Sequence, residues 1–238
     1  MSKPGKIYLI PNYLSTEQGA EFISDSVKST VKKIAYYLVE NVRTSRRFLS
    51  SLQLGLDIST LIFEVMDKRF DASRLPAIFQ PVLDGADLGV QSEAGLPGIA
   101  DPGRVVVSFA HKLGIEVVTL PGPTSIILGL ISSGFNGQQF TFHGYLPIDK
   151  KERTVSIKEF EQTAKKSGYT QIFMETPYRN NDLLKTLLLT LKEDTYLYVG
   201  KDLTGENEWT KSLPVKEWKG LKAVLSKTPA IFAIGSAS

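Results

Sequence analysis

Short apolar segments, rich in β-branched and aromatic residues, recur along the chain and alternate with longer segments of mostly helical pattern. This alternation is typical of repeated α/β units, and it predicts an α/β fold for the chain. The pattern continues to the last residues, so the second half is expected to resemble the first in kind. The predicted strands lie at 6–10, 35–39, 60–65, 86–90, 115–120, 140–146, 170–175, 195–200 and 230–235.

Helix signals follow two of these strands. Asp101 is expected to cap a helix at 104–114 by accepting a bond from a first-turn amide, with Pro102 in the first turn, where its missing N–H has no cost. Gly114 is expected to end that helix. After the strand at 115–120, Pro123 or Thr124 opens a second helix, and Gly134 closes it in the left-handed conformation.

The length of the chain, 238 residues with 42% hydrophobic, suits one large domain or two modest ones, and we expect two. We predict their boundary near 121–123 (PGP), which gives an N-terminal lobe of 1–121 and a C-terminal lobe of 122–238. No segment approaches the roughly 18 to 20 apolar residues that span a bilayer. The first apolar run is also too short for a secretory signal. A cytoplasmic protein without membrane contact is expected.

Residue types limit the chemistry. The chain has no cysteine, and its two histidines, His111 and His143, are far apart in sequence. Disulfides, thiolate nucleophiles and cysteine-ligated zinc are therefore excluded, and a reaction that needs no metal is expected.

The formal net charge of +3, with a pI near 8.9, is too small for binding to nucleic acid by overall charge alone. Local clusters would have to supply such a role, and the clearest are RTSRR (43–47) and DKKER (149–153). A solvated helix face explains each cluster equally well.

The most unusual segment is SEAGLPGIADPG (92–103), which carries three glycines and two prolines between a predicted strand and a predicted helix. In open α/β sheets, ligands bind outside the carboxyl ends of the strands. Glycine permits close approach of the backbone and proline stiffens it, so this segment can offer amides and carbonyls to a flat or polar ligand. It contains neither GxGxxG nor GxxxxGK[ST], the signatures of dinucleotide and triphosphate sites. An ordinary turn is the alternative.

Three segments in order, SEAGLPGIADPG, LPGPTSIILGLISSGF and FHGYLP, resemble the tetrapyrrole methylase superfamily and, within it, the ribosomal small-subunit RNA 2'-O-methyltransferase I branch. Members of that branch carry SDAGTPxxxDPG, PLPGPxAxxxALxxSGL and YEGFLP. Weaker matches, VENVR (39–43), ETPYR (175–179) and KDLTGENE (201–208), extend the resemblance over nearly the whole chain. The matching positions are Ser92, Ala94, Gly95, Pro97, Asp101, Pro102 and Gly103, then Pro121, Gly122, Pro123 and Ser125, then Gly144, Leu146 and Pro147.

The resemblance implies two α/β lobes with S-adenosylmethionine in the cleft between them, and a homodimer. Many of the cofactor contacts would be made through backbone atoms. The positions that correspond to cofactor-binding positions are Pro11, Leu14, Gly95, Leu96, Pro97, Ile99, Thr124, Ser125, Met174, Lys201 and Pro229.

The sequence departs from the branch at several of these loops. The first loop reads PNYLSTEQ (11–18) where members have a PTPIGNL-like turn. Glu93 and Leu96 replace the aspartate and threonine of SDAGTP, ENVR replaces EDTR, and Gly205 replaces the lysine after ELT.

Methyl transfer from a sulfonium is an in-line displacement that depends mainly on alignment and exclusion of water, and it needs no covalent intermediate. For a ribose hydroxyl acceptor, a carboxylate near the methyl group can take the proton, and the candidates are Glu40 and Asp101. A helix cap is the alternative for Asp101.

Four cations lie at positions that match the branch: Arg43, Lys151, Arg153 and Arg179. Such side chains bind phosphate oxygens and position RNA, although each alone is equally a surface charge. Three loop tyrosines, Tyr13, Tyr145 and Tyr178, are candidates for stacking on an unpaired base, with a place in the core or on the surface as the alternative. His143 replaces the glutamate of YEGFLP, and we interpret it as structural or on the substrate side.

We therefore predict an S-adenosylmethionine-dependent methyltransferase that acts on a ribose 2'-oxygen of ribosomal RNA, with no metal. Two alternatives remain open at this point. One is a paralogue that binds the cofactor or RNA without catalysis. The other is a methyltransferase with a tetrapyrrole or a protein side chain as acceptor.

Overall fold

A computed structural model of the chain describes residues 3–15, 19–67, 69–225 and 227–236. The chain divides into two compact units, Met1–Thr124 and Ser125–Ser238. This division lies a few residues after the PGP segment. Both units are α/β in construction, with helices packed on a five-stranded sheet.

The first unit is built on a sheet in which all strand pairs are parallel, in the order β3-β2-β4-β1-β5. Each of its strands overlaps a run that the sequence predicted. Parallel pairing requires a crossover between consecutive strands, which explains the helical segments between the runs. The strands are β1 (Ile7–Leu9), β2 (Tyr36–Val39), β3 (Ile62–Val65), β4 (Leu88–Gln91) and β5 (Val117–Thr119).

Helices cover both faces of this sheet, because successive strand residues point to opposite sides. Tyr36 and Leu38 pack in a core with α3 and α4, whereas Tyr37 and Val39 pack in a second core with α1 and α2. The helices are α1 (Asp25–Val31), α2 (Val42–Ser51), α3 (Leu75–Leu83) and α4 (Gly103–Lys112).

The strand order fixes where a ligand site is expected. From β1 the chain crosses past β4 to reach β2, and from β4 it crosses past β1 to reach β5. The neighbouring strands β1 and β4 therefore send their connections in opposite directions. Such a switch point opens a crevice at the carboxyl ends of the two strands. The glycine and proline segment at 92–103 follows β4 at this place.

The second unit has a mixed sheet in the order β6-β7-β10-β8-β9, in which only β6 and β7 are parallel. Four of its strands overlap predicted runs. The fifth, the edge strand β9, was missed, because its sequence WTKSLP has little of the apolar pattern of a buried strand. The strands are β6 (Phe140–Tyr145), β7 (Thr170–Glu175), β8 (Tyr196–Lys201), β9 (Trp209–Pro214) and β10 (Ala230–Gly235).

The helices of the second unit are α5 (Ser125–Ser133), α6 (Lys150–Ser167), α7 (Asn180–Thr190) and α8 (Val215–Trp218). Helix α5 covers one face of the sheet. Its Gly129 permits a close approach, since a Cβ there would lie 2.6 Å from Cγ2 of Ile231 in β10. The opposite face carries α6, α7 and α8 around a core that includes Phe173, Phe232 and Trp218.

Two glycines end helices as predicted. Gly114 follows α4 with φ +67°, and Gly134 follows α5 with φ +73°. Both adopt the left-handed conformation that residues with a side chain avoid. Among the helices of the described residues, none combines the length and the apolar character needed to cross a bilayer.

Candidate functional site

The segment 92–103 is held against the loop after β1 by one asparagine. Asn12 and Gly95 exchange backbone hydrogen bonds of 2.8 and 3.1 Å. The Asn12 side chain is fully buried, and its Nδ2 donates to the carbonyl oxygens of Ser92 (3.2 Å) and Glu93 (3.0 Å). Its Oδ1 accepts from the Tyr13 amide at 2.9 Å. Asn12 therefore joins the two loops of the switch point.

Asn12 was not among the site residues predicted from the sequence. The available signal was its position, a polar residue directly after Pro11 and just beyond β1, where a side chain reaches the neighbouring loop. Residues 16–18 of the same PNYLSTEQ loop lie outside the described residues.

Four predicted cofactor positions, Pro11, Leu14, Gly95 and Leu96, lie together around the PGP segment. Gly95 has φ +68°, and a Cβ there would lie 3.3 Å from Cδ2 of Leu14. A Cβ on Gly122 would lie 2.1 Å from Cβ of Pro11 and 3.6 Å from Cδ2 of Leu96. Only glycine permits this approach, so the backbone shape of the site depends on both glycines.

The second half of the segment is folded around Asp101. Both carboxylate oxygens accept from the Gly98 amide, at 2.9 and 2.8 Å, and Oδ1 also accepts from the Gly103 amide at 2.6 Å. Gly98 and Ala100 have φ of +92° and +61°. Burial raises the pKa of Asp101, while the amides of Gly98, Gly103 and Ile99 act in the opposite direction.

These bonds make Asp101 the residue that shapes the loop and caps α4. The predicted bond to a first-turn amide is present, although Pro102 is the N-cap residue and does not lie in the first turn. A general base needs a lone pair directed at the substrate, and both oxygens of Asp101 already serve backbone amides. The geometry therefore favours the capping alternative. Ile99, beside it, is 44% exposed.

Glu40 lies at the carboxyl end of β2, beside the start of the same segment. Its Oε2 accepts from the Glu93 amide at 3.2 Å. The adjacent Asn41 caps α2 by accepting from the amides of Arg43 and Thr44, and its Nδ2 donates to Oε1 of Glu93 at 3.0 Å. Two carboxylates thus lie at one edge of the sheet, and Glu40 is the half-buried one.

Behind these carboxylates the side chains of Ser45 and Gln91 are almost completely buried and hydrogen-bonded to each other. The Gln91 Nε2 atom has no protein partner. This polar pair connects α2 to the end of β4, and so it supports the positions of both Glu40 and Glu93.

The predicted positions in the second unit lie together at one end of its central strands. They are Met174, Lys201 and Pro229. Strand β10 runs antiparallel to its neighbours, so its start lies beside the ends of β7 and β8, and the Asp202 amide donates to the Pro229 carbonyl at 3.0 Å. Met174 lies opposite Ile231, on the α5 face. Lys201 lies opposite Ala230, which packs in the core on the other face.

Because cross-strand partners share a face, the side chains of Met174 and Lys201 point to opposite sides of the sheet. These residues therefore come together at the strand ends through their backbone and not through their side chains. The two remaining cofactor positions are adjacent in sequence: Thr124 is the last residue of the first unit, and Ser125 is the first residue of α5.

Two of the four residues predicted to contact phosphates form ion pairs within the second unit. Arg153 is 1% exposed, and its guanidinium donates to Oδ2 of Asp182 at 2.6 Å and to Oγ1 of Thr186 at 3.3 Å. Arg179 donates to Oε1 of the buried Glu175 at 2.5 Å. Arg153 is buried and paired with a half-exposed carboxylate, so the prediction that it binds RNA is wrong. Arg179 pairs with a buried carboxylate but its side chain is 30% exposed, and for this residue the prediction remains untested.

The other two cations, Arg43 and Lys151, are exposed in the first turns of α2 and α6. Of the tyrosines, Tyr178 is 83% exposed and Tyr145 is half exposed, whereas Tyr13 is buried against Phe48 with ring centroids 5.5 Å apart. The stacking prediction therefore does not fit Tyr13.

His143 stacks on Phe160, with ring centroids 3.8 Å apart, and its Nε2 lies 2.8 Å from Oε1 of Gln171. This packing supports the structural interpretation of His143. Within the described ranges, no group of three or more histidine, aspartate or glutamate side chains is arranged to hold a metal ion.

The chain is similar in sequence to proteins named ribosomal RNA small subunit methyltransferase I. The relative from Vibrio cholerae serotype O1 is 28% identical over 211 residues, which cover 89% of this chain and 69% of the relative. Those from Halalkalibacterium halodurans and Leptospira borgpetersenii serovar Hardjo-bovis are 30% and 32% identical, over 79% and 71% of this chain. The chain spans 61% and 65% of those two relatives.

Solved structures show a similar fold at lower identity. The methyltransferase CobJ aligns over 98% of this chain and 95% of its own, with a TM-score of 0.65 and 14% identity. The uroporphyrin-III-C-methyltransferase from Thermus thermophilus aligns over 98% and 93%, with a TM-score of 0.59 and 17% identity. No model of a known protein family matches the chain.

The fold and the sequence matches define the class: the chain is an S-adenosylmethionine-dependent methyltransferase of the tetrapyrrole methylase superfamily. Within this class its sequence is similar to those of the ribosomal RNA small subunit methyltransferases I, at 28–32% identity to the three relatives above. The fold class and the enzyme class predicted from the sequence are thereby confirmed.

Proposed function

We propose that the chain transfers a methyl group from S-adenosylmethionine to a ribose 2'-oxygen of ribosomal RNA. The observation that carries this proposal is the pair of loops at the switch point of the first unit, joined by Asn12 and shaped by Gly95 and Asp101. The names of the sequence relatives supply the RNA substrate class.

The residues at these loops fit such a cofactor. The neighbouring side chains are apolar, with Leu14 beside Gly95 and Pro11 and Leu96 beside Gly122. No ion pair among the described residues involves residues 92–103. At Gly98 a Cβ would meet nothing within 4 Å. An adenosine ring can therefore lie against apolar side chains while backbone amides and carbonyls bind its polar edge.

When bound, the cofactor supplies an electrophilic methyl group on a sulfonium. The chain's own residues then have two tasks. The loop 92–103 fixes the position of the sulfonium nucleoside, and this alignment provides most of the acceleration that an in-line displacement needs. Glu40 takes the proton of the attacking hydroxyl, a step that typically contributes about 10²- to 10⁴-fold. Asp101 supports the loop and takes no proton.

On the substrate side, we propose that the exposed Arg43 and Lys151 bind phosphates and that the exposed Tyr145 and Tyr178 stack on unpaired bases. Met174, Pro229 and the Lys201 backbone, at one edge of the second sheet, are proposed to contribute to cofactor binding, as are Thr124, Ser125, Pro97 and Ile99. We further propose that the enzyme is a cytoplasmic homodimer that needs no metal.

The direct test has two stages. Calorimetric titration with S-adenosylmethionine and S-adenosylhomocysteine measures cofactor binding. Transfer of a tritiated methyl group to small-subunit ribosomal RNA, followed by alkaline hydrolysis, then identifies the position, because a 2'-O-methyl group blocks cleavage of the adjacent phosphodiester. We expect binding of both compounds and label in alkali-resistant dinucleotides.

Three outcomes would contradict the proposal in different ways. Binding without transfer to any RNA would indicate a non-catalytic paralogue. Label in alkali-sensitive nucleotides would indicate that the methyl group is transferred to a base and not to the ribose. A coloured macrocycle that copurifies and accepts the label would change the acceptor to a tetrapyrrole.

A further inference from the structure

A groove of about 640 Å³ lies in the second unit, between the β8–β9 end of the sheet and the segment 221–225. One wall is formed by Lys201, Trp209 and Lys211, and the other by residues 221–225, which include Lys222. Its volume falls in the range of ligand-binding clefts. Of the residues in these two walls, only Lys201 was predicted to have a functional role, because β9 itself was not predicted.

The strand register places the basic and aromatic side chains of this groove on one face. Lys201 lies directly opposite Trp209, and Val199 lies opposite Lys211. Val199 packs in the core with Trp218 of α8, whereas the intervening Tyr198 lies on the α5 face, where its hydroxyl bonds with Ser132 at 2.6 Å. The groove is therefore on the face of the second sheet opposite to α5 and Met174.

The groove is positively charged. Lys201, Lys211 and Lys222 line it, and the ion pairs found in the described residues include none of the three. Other lysines of the same unit are paired, for example Lys219 with Glu193 at 2.8 Å. The carboxylate in the groove is that of Glu208, and it accepts from the Thr204 amide at 2.6 Å. Three ammonium groups that form no ion pair with the described residues, beside one engaged carboxylate, favour an anionic ligand.

The groove also has apolar surface that is exposed to solvent. Val224 is 66% exposed and Leu221 is 41% exposed at its rim. Trp209 is half-buried, with its ring edge-on to Trp218 at 5.9 Å, and it lies between the lysines. Cations that alternate with an aromatic ring can bind the phosphates and stack on the bases of single-stranded nucleic acid. They match a carboxylate-rich protein segment less well, because such a segment lacks planar apolar groups.

The loop that joins β8 to β9 is held in an unusual shape at one end of the groove. Asp202 and Thr204 have φ of +52° and +68°, a conformation that costs non-glycine residues free energy. Hydrogen bonds maintain it: the Asn207 amide donates to Oδ2 of Asp202 at 3.1 Å. Asn207 and Glu208 are thereby fixed as lining residues of the groove.

We propose that this groove binds a single-stranded segment of the RNA substrate, with phosphates at Lys201, Lys211 and Lys222 and a base against Trp209. The inference rests on the proposed RNA substrate and adds a binding surface on the β9 side of the second unit. It explains why a strand of low apolar content carries both a tryptophan and a lysine on the same face.

The test compares two double variants of equal charge change. Lys211→Glu with Lys222→Glu alters the groove, and Lys158→Glu with Lys166→Glu alters two exposed lysines of α6, which packs on β7 and β10. Binding of a short fluorescein-labelled single-stranded oligoribonucleotide is followed by anisotropy at several salt concentrations. Circular dichroism checks that both variants are folded.

We expect the groove variant to bind about tenfold or more weakly, and its slope of log K against log salt to fall by about 1.4, since single strands lose roughly 0.7 per phosphate contact. The α6 variant is expected to keep most of the affinity and the slope. In wild type, RNA is expected to quench tryptophan fluorescence, and Trp209→Phe is expected to remove this quenching because Trp218 is buried.

Equal affinities of the two double variants would overturn the groove while leaving methyl transfer by the wild-type enzyme intact. Displacement of the oligoribonucleotide by polyglutamate, without any tryptophan quenching, would indicate an acidic protein partner and would also overturn it. If the wild-type enzyme neither binds nor methylates RNA, both the proposed function and the proposed role of the groove are contradicted.

Discussion

The predicted functional residues are placed differently in the two units. In the first unit, residues predicted to bind the cofactor lie side by side at the switch point, where Gly95 packs against Leu14, and Pro11 and Leu96 pack against Gly122. In the second unit, arginines predicted to bind RNA turn inward, where Arg153 pairs with Asp182 and Arg179 with Glu175.

The difference arises from what each residue type determines. A glycine at positive φ or a proline constrains the backbone itself, so its sequence position fixes the local shape of the loop. An arginine has a long side chain that pairs equally well with a phosphate or with an internal carboxylate. Backbone signals therefore predict a site more directly than charges do.

The largest effect is expected from Gly95→Val, which tests the backbone half of this comparison. A β-branched residue at φ +68° is strained, and its Cβ would lie 3.3 Å from Leu14 and 3.5 Å from the Pro123 carbonyl. We expect calorimetry to detect no binding of S-adenosylmethionine. The backbone strain itself should lower the free energy of unfolding by about 1–2 kcal/mol.

Gly55→Val is the matched control for this variant. Gly55 has φ +71°, and a Cβ there would meet nothing within 4 Å. The strain is thus similar, but the position is remote from the loop pair in sequence. Unchanged cofactor affinity in Gly55→Val, together with its loss in Gly95→Val, is expected. Normal affinity in both variants would show that the segment 92–103 is not the cofactor site.

The next effect concerns the proton. Glu40→Gln keeps an oxygen that can accept from the Glu93 amide, yet it removes the basic carboxylate. The single-turnover rate of methyl transfer should fall by about 10²- to 10⁴-fold, with the cofactor dissociation constant unchanged. Glu93→Gln, in the neighbouring carboxylate bonded to Asn41, should have a much smaller effect. Equal losses in the two variants would contradict the assignment of the base to Glu40.

Much of the fold could be predicted from the sequence, and the exception is informative. Buried strands such as Tyr36–Val39 and Ala230–Gly235 can be recognised by their continuous apolar residues. The edge strand Trp209–Pro214 has burial on only part of its length, and Lys211 and Ser212 interrupt its apolar pattern. Pairing with β8 defines this strand, and pairing partners are not visible in a local pattern.

The candidate site could be predicted only in its backbone part. The pattern of 92–103 gave the segment, its glycines and the cap at Asp101. It gave no information that Asn12, 80 residues earlier than Ser92, would hold the segment in place. Such a contact depends on the order of strands in the sheet, which places β1 beside β4.

Asn12→Ala tests this unpredicted contact. The change leaves the carbonyls of Ser92 and Glu93 and the amide of Tyr13 without their side-chain partner. At about 1 kcal/mol for each bond, urea unfolding should show a loss of about 2–3 kcal/mol. Cofactor affinity should fall as well, because the two loops lose their side-chain link and keep only the two backbone hydrogen bonds between residues 12 and 95.

Asn136→Ala is the comparison in the second unit. Asn136 also makes three bonds that tie loops, to the Gly168 carbonyl and from the amides of Gln138 and Gln139. A similar loss of stability with normal cofactor affinity is expected. An equal loss of affinity in both variants would mean that the effect of Asn12 comes from general destabilisation.

The smallest effect tests the charged half of the comparison. Asp182→Asn leaves the buried Arg153 guanidinium, whose Nε already has no partner, without its carboxylate. Breaking a fully buried pair costs about 3–5 kcal/mol, but solvent reaches half of the Asp182 side chain, so we expect about 2 kcal/mol in urea unfolding at neutral pH. Methyl transfer should be nearly unchanged, because Arg153 is 1% exposed and therefore not accessible to RNA.

The pH dependence gives this last prediction its sign. The hydrogen bond from Arg153 lowers the pKa of Asp182, so this carboxyl group binds a proton less tightly in the folded state than in the unfolded chain. The stabilisation is present above the ordinary aspartate pKa and is lost as the pH falls through the lowered one, so the difference between wild type and Asp182→Asn should narrow in acid. Asp194→Asn removes an exposed carboxylate paired with Lys165, and its unfolding should match wild type throughout. Two results would contradict this assignment and favour RNA binding by Arg153. One is a stability difference between wild type and Asp182→Asn that stays constant in acid. The other is a loss of RNA affinity in Asp182→Asn without a loss of stability.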